Sequence, residues 1–143
     1  MARTQSVNYL VYKVYYGDEL VYIGRTKQRL VDRMRMHFFG NIDVPKLNIF
    51  NISKIEYTLF DRESDQIVYE VYLINLYHPC LNSHDLGADD LTIYLPEPQF
   101  YIWENPIIDK WKEKRIDYLI DTSTIDYSFE DDFFMVKIEE RRM

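Results

Sequence analysis

Two short runs of β-branched and aromatic residues near the start of the chain restrict its possible folds more than any other feature. Residues 9–16 read YLVYKVYY and residues 20–23 read LVYI, with Gly17, Asp18 and Glu19 between them. Runs of this kind, separated by a short segment that contains glycine, are typical of a β-hairpin. The sequence therefore predicts two antiparallel strands joined by a tight turn.

The length of that turn decides which side chains share a face of the hairpin. A three-residue turn would place Val14 opposite Tyr22, with Tyr12 diagonal to Tyr22 on the same face. A two-residue turn would place Tyr15 opposite Tyr22 and turn Tyr12 away. The residues of the turn do not distinguish the two registers.

A helix is predicted directly after the hairpin. Thr26 can cap its start, and Gly40 is a typical stop signal, so the helix should run to about Phe39. Apolar residues recur at i, i+4 and i+8 and form its expected buried stripe: Leu30, Met34 and Phe38.

A third strand and a second helix follow. Residues 54–60 (KIEYTLF) alternate as a strand does, and Ser64 can cap a helix that ends before Pro79. Residues 67–76 (IVYEVYLINL) contain a single charged residue, Glu70. Such a helix should be buried nearly all round and lie across the sheet.

The predicted fold class is α+β, a small, mainly antiparallel three-stranded sheet flanked by helices. We expect the main domain to span residues 1–85 and an acidic extension to span residues 86–143. Within the extension, residues 91–95 read as a short strand and residues 107–120 as an amphipathic helix.

Charge is distributed unevenly along the chain. The net charge of −7 argues against nucleic acid as a partner. Residues 1–82, however, hold ten Lys or Arg against nine Asp or Glu, whereas residues 83–143 hold seven against fifteen. Five basic residues lie within residues 25–37: Arg25, Lys27, Arg29, Arg33 and Arg35. Such a patch suits a phosphate backbone, although a solvated helix face would also contain it.

The apolar stretches and the cysteine content of the sequence predict where in the cell the protein is found. No apolar leader precedes residue 9, and no stretch has the roughly 20 apolar residues that a membrane helix needs. The single cysteine, Cys80, has no partner for an internal disulfide. We expect a soluble cytoplasmic protein without a membrane partner.

Polar side chains on the two predicted helices suit phosphodiester chemistry. Arg29, Arg33 and His37 are four residues apart and share one helix face. The planar guanidinium of Arg33 can bind phosphate oxygens bidentately and stabilise a charged transition state. Glu70 lies in an apolar helix, where a carboxylate is costly unless it is paired, binds a metal such as Mg²⁺ or faces an exposed edge.

Taken together, these residues resemble the GIY-YIG nuclease family over a little more than half of the chain. Tyr22-Ile23-Gly24 matches the second signature, and Leu10-Val11-Tyr12 is a degenerate first signature. Arg33 and His37 follow on the predicted helix, four residues apart as in the family, although Arg33 is one residue further from Tyr22 than in the family's commonest form. From Glu70 onwards, an apolar helix leads to Tyr-x-Pro and then Leu81-Asn82, which resembles the family's second-helix pattern.

The resemblance implies a Mg²⁺- or Mn²⁺-dependent endonuclease that acts on DNA, with Glu70 as the metal ligand. It implies that Tyr12 helps to activate water, that Tyr22 positions water or phosphate, and that His37 assists proton transfer. A phenol with its ordinary pKa near 10 is a poor base, so Tyr12 would need Arg33 or the metal nearby. The resemblance also implies four nucleic-acid contacts: Arg25, Lys27, Arg29 and Asn82, the last of which also suits a helix-exit turn.

Alternatives stay open for the extension and for the whole chain. The extension can cover hydrophobic surface through its aromatic residues, mediate a homodimer, or shield the basic patch with acidic residues 130–132; the aromatic residues are Phe100, Tyr101, Trp103 and Trp111. By analogy of fold, a compact nuclease of this kind suits a phage or mobile element. The alternative function is a catalytically silent scaffold that binds a protein or mimics nucleic acid.

Overall fold

The computed structural model describes residues 8–40 and 45–121. The main chain forms strand β1 (Tyr9–Tyr16), strand β2 (Glu19–Thr26), helix α1 (Leu30–Phe39), a short 3₁₀ turn (Ile49–Asn51), strand β3 (Ile52–Phe60), helix α2 (Glu63–Tyr77), strand β4 (Tyr101–Ile102) and helix α3 (Ile107–Asp121). None of the helices in these described ranges has the length and apolar character needed to cross a bilayer.

The described strands form one antiparallel sheet with the order β2-β1-β3-β4. The α+β class is confirmed, but the prediction of three strands is wrong. The fourth strand comes from Tyr101 and Ile102, which pair with Tyr57 and Glu56. The predicted strand at residues 91–95 is not formed. A two-residue strand has no alternation to detect, so its pairing depends on β3 rather than on a local pattern.

The hairpin combines features of both predicted registers. Its turn has two residues, Gly17 and Asp18, and the φ of 61° at Gly17 is one that glycine adopts without strain. Strand β2 then contains one extra residue, Val21, opposite the step from Val14 to Tyr15. This bulge restores the pairing of Val14 with Tyr22 that a three-residue turn would have produced.

The described residues divide into two compact units, residues 8–34 with 51–104, and residues 35–40 and 45–50 with 105–121. The core of the first unit lies between helix α2 and one face of the sheet. It is built from Val11, Ile23, Tyr72, Leu73 and Ile74. Leu91, Leu95 and Phe100 pack against this core, so residues of the predicted extension complete the fold of the first unit.

The second unit contains a small aromatic cluster. Trp111 of α3 is buried against Phe38 and Phe39 of α1, with ring centroids 5.9 and 5.5 Å apart in edge-on geometry. The guanidinium of Arg35 lies 5.5 Å from the centre of the same indole ring. Helix α3 confirms the predicted helix at residues 107–120. The acidic residues 130–132 and their shielding role lie outside the described residues.

Helix boundaries correct two capping predictions. Helix α1 ends at Phe39 before Gly40 as expected, but Thr26 ends strand β2, and its hydroxyl accepts a bond from Gln28 N instead of capping the helix. Helix α2 begins at Glu63 after Arg62, which makes no side-chain cap. Ser64 therefore lies inside the first turn. The helix was also expected to be buried nearly all round, which is wrong because Val68 is 52% exposed.

Candidate active site

The hairpin places two phenols side by side on one face of the sheet. Val14 pairs with Tyr22 and Tyr12 pairs with Gly24, so Tyr12 is diagonal to Tyr22 and their ring centroids are 6.1 Å apart. Tyr12 is 0% exposed and Tyr22 is 8% exposed. Of the two phenols, only Tyr22 therefore offers surface to solvent.

Gly24 is the residue that allows this packing. A Cβ atom built on it would lie 2.5 Å from the Tyr12 hydroxyl oxygen, 2.6 Å from Tyr12 Cζ and 2.8 Å from Tyr22 Cε2. No side chain can occupy that space while the phenol of Tyr12 stays where it is. The glycine of the Tyr22-Ile23-Gly24 signature thus has a steric cause in this chain.

A line of hydrogen bonds connects Arg33 of α1 to the two phenols. Arg33 Nε donates to the Tyr12 hydroxyl at 3.4 Å, and a side-chain hydrogen bond joins Tyr12 to Tyr22. Burial raises the pKa of both phenols, while the Arg33 guanidinium opposes the rise. Both side chains are therefore neutral hydrogen-bonding groups at neutral pH in this structure.

Glu70 has unusual surroundings for a carboxylate. It is 9% exposed, whereas the apolar Val68 on the same helix is 52% exposed. Arg25 Nη1 donates to Glu70 Oε1 at 3.1 Å. Burial raises the pKa of Glu70, and the charge of Asp85 raises it further, whereas Arg25 and Arg33 lower it. Helix α2 thus directs its one interior charge inwards, where desolvation costs free energy.

Four of the five residues predicted for chemistry, Tyr12, Tyr22, Arg33 and Glu70, lie in the first unit. The charge of Glu70 acts on both Tyr12 and Tyr22, and the charge of Arg33 acts on Glu70. Charge effects therefore act among these four side chains, while hydrogen bonds join Arg33 to Tyr12 and Arg25 to Glu70.

The fifth residue, His37, lies in the second unit. Its side chain is completely buried, and its Nδ1 is 2.6 Å from the carbonyl oxygen of Pro45, to which it donates because a carbonyl can only accept. The His37 carbonyl accepts from Leu47 N at 3.1 Å. His37 thus binds the main chain at Pro45 and Leu47, and its part in proton transfer stays a prediction.

The basic residues predicted to contact the nucleic-acid backbone are each paired with a carboxylate. The pairs are Arg25 with Glu70 at 3.1 Å, Lys27 with Glu63 at 2.9 Å, and Arg29 with Asp32 at 2.9 Å. The side chains of Lys27 and Arg29 are largely exposed. Exposed pairs of this kind are worth only about 0–1 kcal/mol, so a phosphate group can replace the carboxylate at little cost.

Asn82 binds the outer edge of the sheet. Its Oδ1 accepts from Ile23 N and its Nδ2 donates to Ile23 O, both at 2.9 Å. Leu81 N donates to Val21 O at 2.9 Å in the same way. The segment after α2 therefore covers the edge of β2, and the amide of Asn82 makes a strand-like pair with the residue between Tyr22 and Gly24.

Two residues near this group were not predicted. Gln66 is buried one turn before Glu70, and its Nε2 donates to Leu10 O at 2.9 Å and to Thr26 O at 3.0 Å. The polar pair at i and i+4 in an otherwise apolar helix was a usable signal for it. Asp85 is the other, because its charge reaches Glu70. Nothing in the local sequence distinguished it from neighbouring acidic residues.

A divalent cation would find a small set of protein ligands here. Among the described residues, no three His, Cys, Asp or Glu side chains form a group that could hold a metal. Mg²⁺ nonetheless is commonly held by one or two carboxylates, with water and substrate phosphate as the other ligands. The buried Glu70 carboxylate fits that pattern, and Asp85 supplies a second negative charge.

Comparison with other proteins adds no family assignment to this geometry. Neither a protein-family model, a curated protein nor a solved structure matches the chain.

Proposed function

We propose that the chain is a GIY-YIG-type endonuclease that hydrolyses phosphodiester bonds in DNA with the help of Mg²⁺ or Mn²⁺. One observation carries the proposal. Helix α2 buries its single interior carboxylate, Glu70, where its charge acts on Arg33 and on the two phenols, while it leaves Val68 exposed. Burying a carboxylate opposes folding, and an exposed apolar side chain contributes no burial free energy, so this arrangement is better explained by function than by stability.

Arg33 is the proposed transition-state residue. Its guanidinium stays charged at any working pH and has donors in a planar fork that suits phosphate oxygens. The hydrogen bond from Nε to Tyr12 fixes one side of that fork. Such a preorganised donor contributes about 3–4 kcal/mol, or about 10²–10³ in rate, when charge develops on the phosphate.

The two tyrosines have different proposed roles. Tyr22 has exposed surface and, as a neutral phenol, orients the attacking water or a phosphate oxygen. Tyr12 is fully buried and holds both Tyr22 and Arg33 in place through its hydroxyl. Because burial raises the pKa of both phenols, neither is ionised at neutral pH, and their hydroxyls position groups rather than accept protons.

Glu70 is the proposed metal ligand. Its ionised carboxylate, which accepts a hydrogen bond from Arg25 in this structure, would hold the cation. When bound, the cation would neutralise phosphate charge and lower the pKa of a coordinated water. Lys27 and Arg29 contact the DNA backbone by exchanging their carboxylate partners for phosphates.

A second candidate function is a non-catalytic protein-binding or nucleic-acid-mimicking scaffold. The observation that favours it is charge. Residues 83–143 hold fifteen acidic against seven basic residues, and three basic side chains near the group are already paired with carboxylates.

Cleavage of supercoiled plasmid and of single-stranded DNA, with Mg²⁺ and with chelator, distinguishes the two functions. We expect Mg²⁺-dependent nicking by the wild-type protein and its loss in Glu70→Gln. Glu63→Gln is the matched control, because it removes an exposed, ion-paired carboxylate from the same helix. Nicking that survives Glu70→Gln, or that is absent from wild type with every divalent metal, would contradict the nuclease proposal.

A further inference from the structure

A pocket of about 250 Å³ opens in the first unit beside the candidate active site. The half-buried rings of Tyr57 and Trp103 and the buried side chains of Leu10 and Leu30 line it. Three exposed residues, Asn8, Arg29 and Leu59, complete the lining. The volume lies below the roughly 300–1,000 Å³ of pockets that hold drug-sized ligands. It is suited to one flat ring system.

The pocket is next to the Tyr12–Arg33 contact. Leu10 lies two residues before Tyr12 on β1, and Tyr57 is the cross-strand partner of Tyr12 on β3, so all three share a sheet face. Leu30 lies three residues before Arg33 on α1 and so one turn away on the same side of that helix. Sheet and helix thus place the pocket and the candidate site side by side.

The lining has the chemistry of a nucleobase site. Two aromatic rings and three leucines offer apolar surface to a planar group, and stacking on aromatic rings accepts any base. The amide of Asn8 offers both a donor and an acceptor for the edge of a base. A purely apolar ligand would make no use of Asn8 or Arg29.

Arg29 lines the pocket and also lies four residues before Arg33, so it can contact a DNA strand that binds at both places. Its side chain is 74% exposed and paired with Asp32, a partner that a phosphate can replace. Arg29 and Arg33 are four residues apart, which is about 6 Å along a helix axis. Two guanidinium groups at that separation can contact successive phosphates of one strand.

We propose that this pocket binds one unstacked nucleobase of the DNA strand whose phosphodiester lies at Arg33 and Glu70, while Arg29 contacts a neighbouring phosphate. This assignment rests on the proposed nuclease function. A base held between Tyr57 and Trp103 fixes the position of the strand and so determines which phosphate lies at Arg33.

The test asks whether Trp103 and one base of the strand contribute to DNA affinity through the same contact. Fluorescein-labelled single-stranded oligonucleotides, each with one abasic site at a different position, are titrated in chelator with wild type and with Trp103→Leu. At one position, we expect the abasic site and Trp103→Leu each to weaken binding by about 5- to 150-fold, the range for loss of one stacked base, with no further loss when they are combined.

Three controls make the result specific. Trp103→Phe keeps an aromatic ring and should restore most of the affinity. Tyr94→Leu removes an aromatic side chain that is 82% exposed and does not line the pocket, and it should leave affinity unchanged. The variant Trp111→Phe leaves Trp103 as the single indole of the chain. Its fluorescence should be quenched by the intact strand and not by the strand that is abasic at the coupled position, which tests the pocket without altering it.

Every other result would contradict the pocket assignment, the strand assignment, the nuclease function or a combination of them. Independent effects of Trp103→Leu and of the abasic site at every position, without quenching of Trp103, overturn the pocket assignment even if plasmid is cleaved. Binding of deoxyadenosine monophosphate as tight as that of the oligonucleotide means a free-nucleotide site and overturns the strand assignment. Coupling without any cleavage supports the pocket and overturns the nuclease. Absence of DNA binding overturns both.

Discussion

Replacement of Gly24 by alanine tests whether the phenols of Tyr12 and Tyr22 are held as described. The added Cβ would lie 2.5 Å from the Tyr12 hydroxyl oxygen and 2.8 Å from Tyr22 Cε2. Contacts between non-bonded heavy atoms are favourable at about 3.5–4.0 Å, so the Tyr12 ring must move by about 1 Å. This movement would disturb its neighbours, because the Tyr12 side chain is fully buried and bonded to Arg33.

The expected cost follows from these contacts. Overpacking of a core costs about 1–3 kcal/mol, and each kcal/mol lowers the midpoint of thermal unfolding by about 3–4 °C for a chain of this size. A shift of about 1 Å in a catalytic constellation can also cost about 10²-fold in rate. We therefore expect Gly24→Ala to unfold roughly 3–12 °C lower and to nick plasmid about 100 times more slowly.

Steric overlap predicts that Gly24→Ala lowers the stability, whereas the general effect of replacing glycine in a strand has the opposite sign. Alanine ordinarily stabilises a strand by roughly 0.5–1 kcal/mol relative to glycine. Gly87→Ala is the matched control, because its Cβ would lie 3.4 Å from Asn75 Oδ1, an ordinary contact. Thermal unfolding by circular dichroism and plasmid nicking are measured on both variants. Wild-type stability and activity in Gly24→Ala would refute the packing described for Tyr12.

Three further substitutions test the surroundings of the site. Arg25→Gln removes a charge that lowers the pKa of Glu70, so the acidic limb of the pH–rate profile should move to higher pH, and an unmoved limb would exclude Glu70 as the titrating group. Glu70→Gln should stabilise the protein at pH 7 by about 0.5–1 kcal/mol. Burial raises the pKa of Glu70 in the folded state, so this gain in stability is present at pH values above the raised pKa and disappears below pH 4.5, the ordinary pKa. Unfolding in urea at pH 7 and below pH 4.5 can check this. Gln66→Leu leaves two buried carbonyls, of Leu10 and Thr26, without their donor and should cost roughly 2–4 kcal/mol in the same assay, whereas a loss below 1 kcal/mol would mean that water replaces the amide.

The sequence by itself determined the local elements and several members of the candidate site. The hairpin, helix α1 and helix α3 follow from periodicity, turn residues and stop signals that act over a few residues. The four-residue spacing along α1 and the single charge inside α2 identified Arg33 and Glu70. Tyr22 followed from the signature at the end of β2.

The tertiary structure decided what depends on segments far apart in the chain. The bulge at Val21 sets the phenol register, and no local pattern encodes it, because a turn of either length is compatible with the same residues. The pairing of Arg25 with Glu70 joins residues 45 positions apart. Strand β4 and the pocket beside Trp103 exist only because residues 101–103 return to β3. Contacts of this kind form through packing and hydrogen bonds between distant segments, and a pattern that spans one turn or one strand does not contain them.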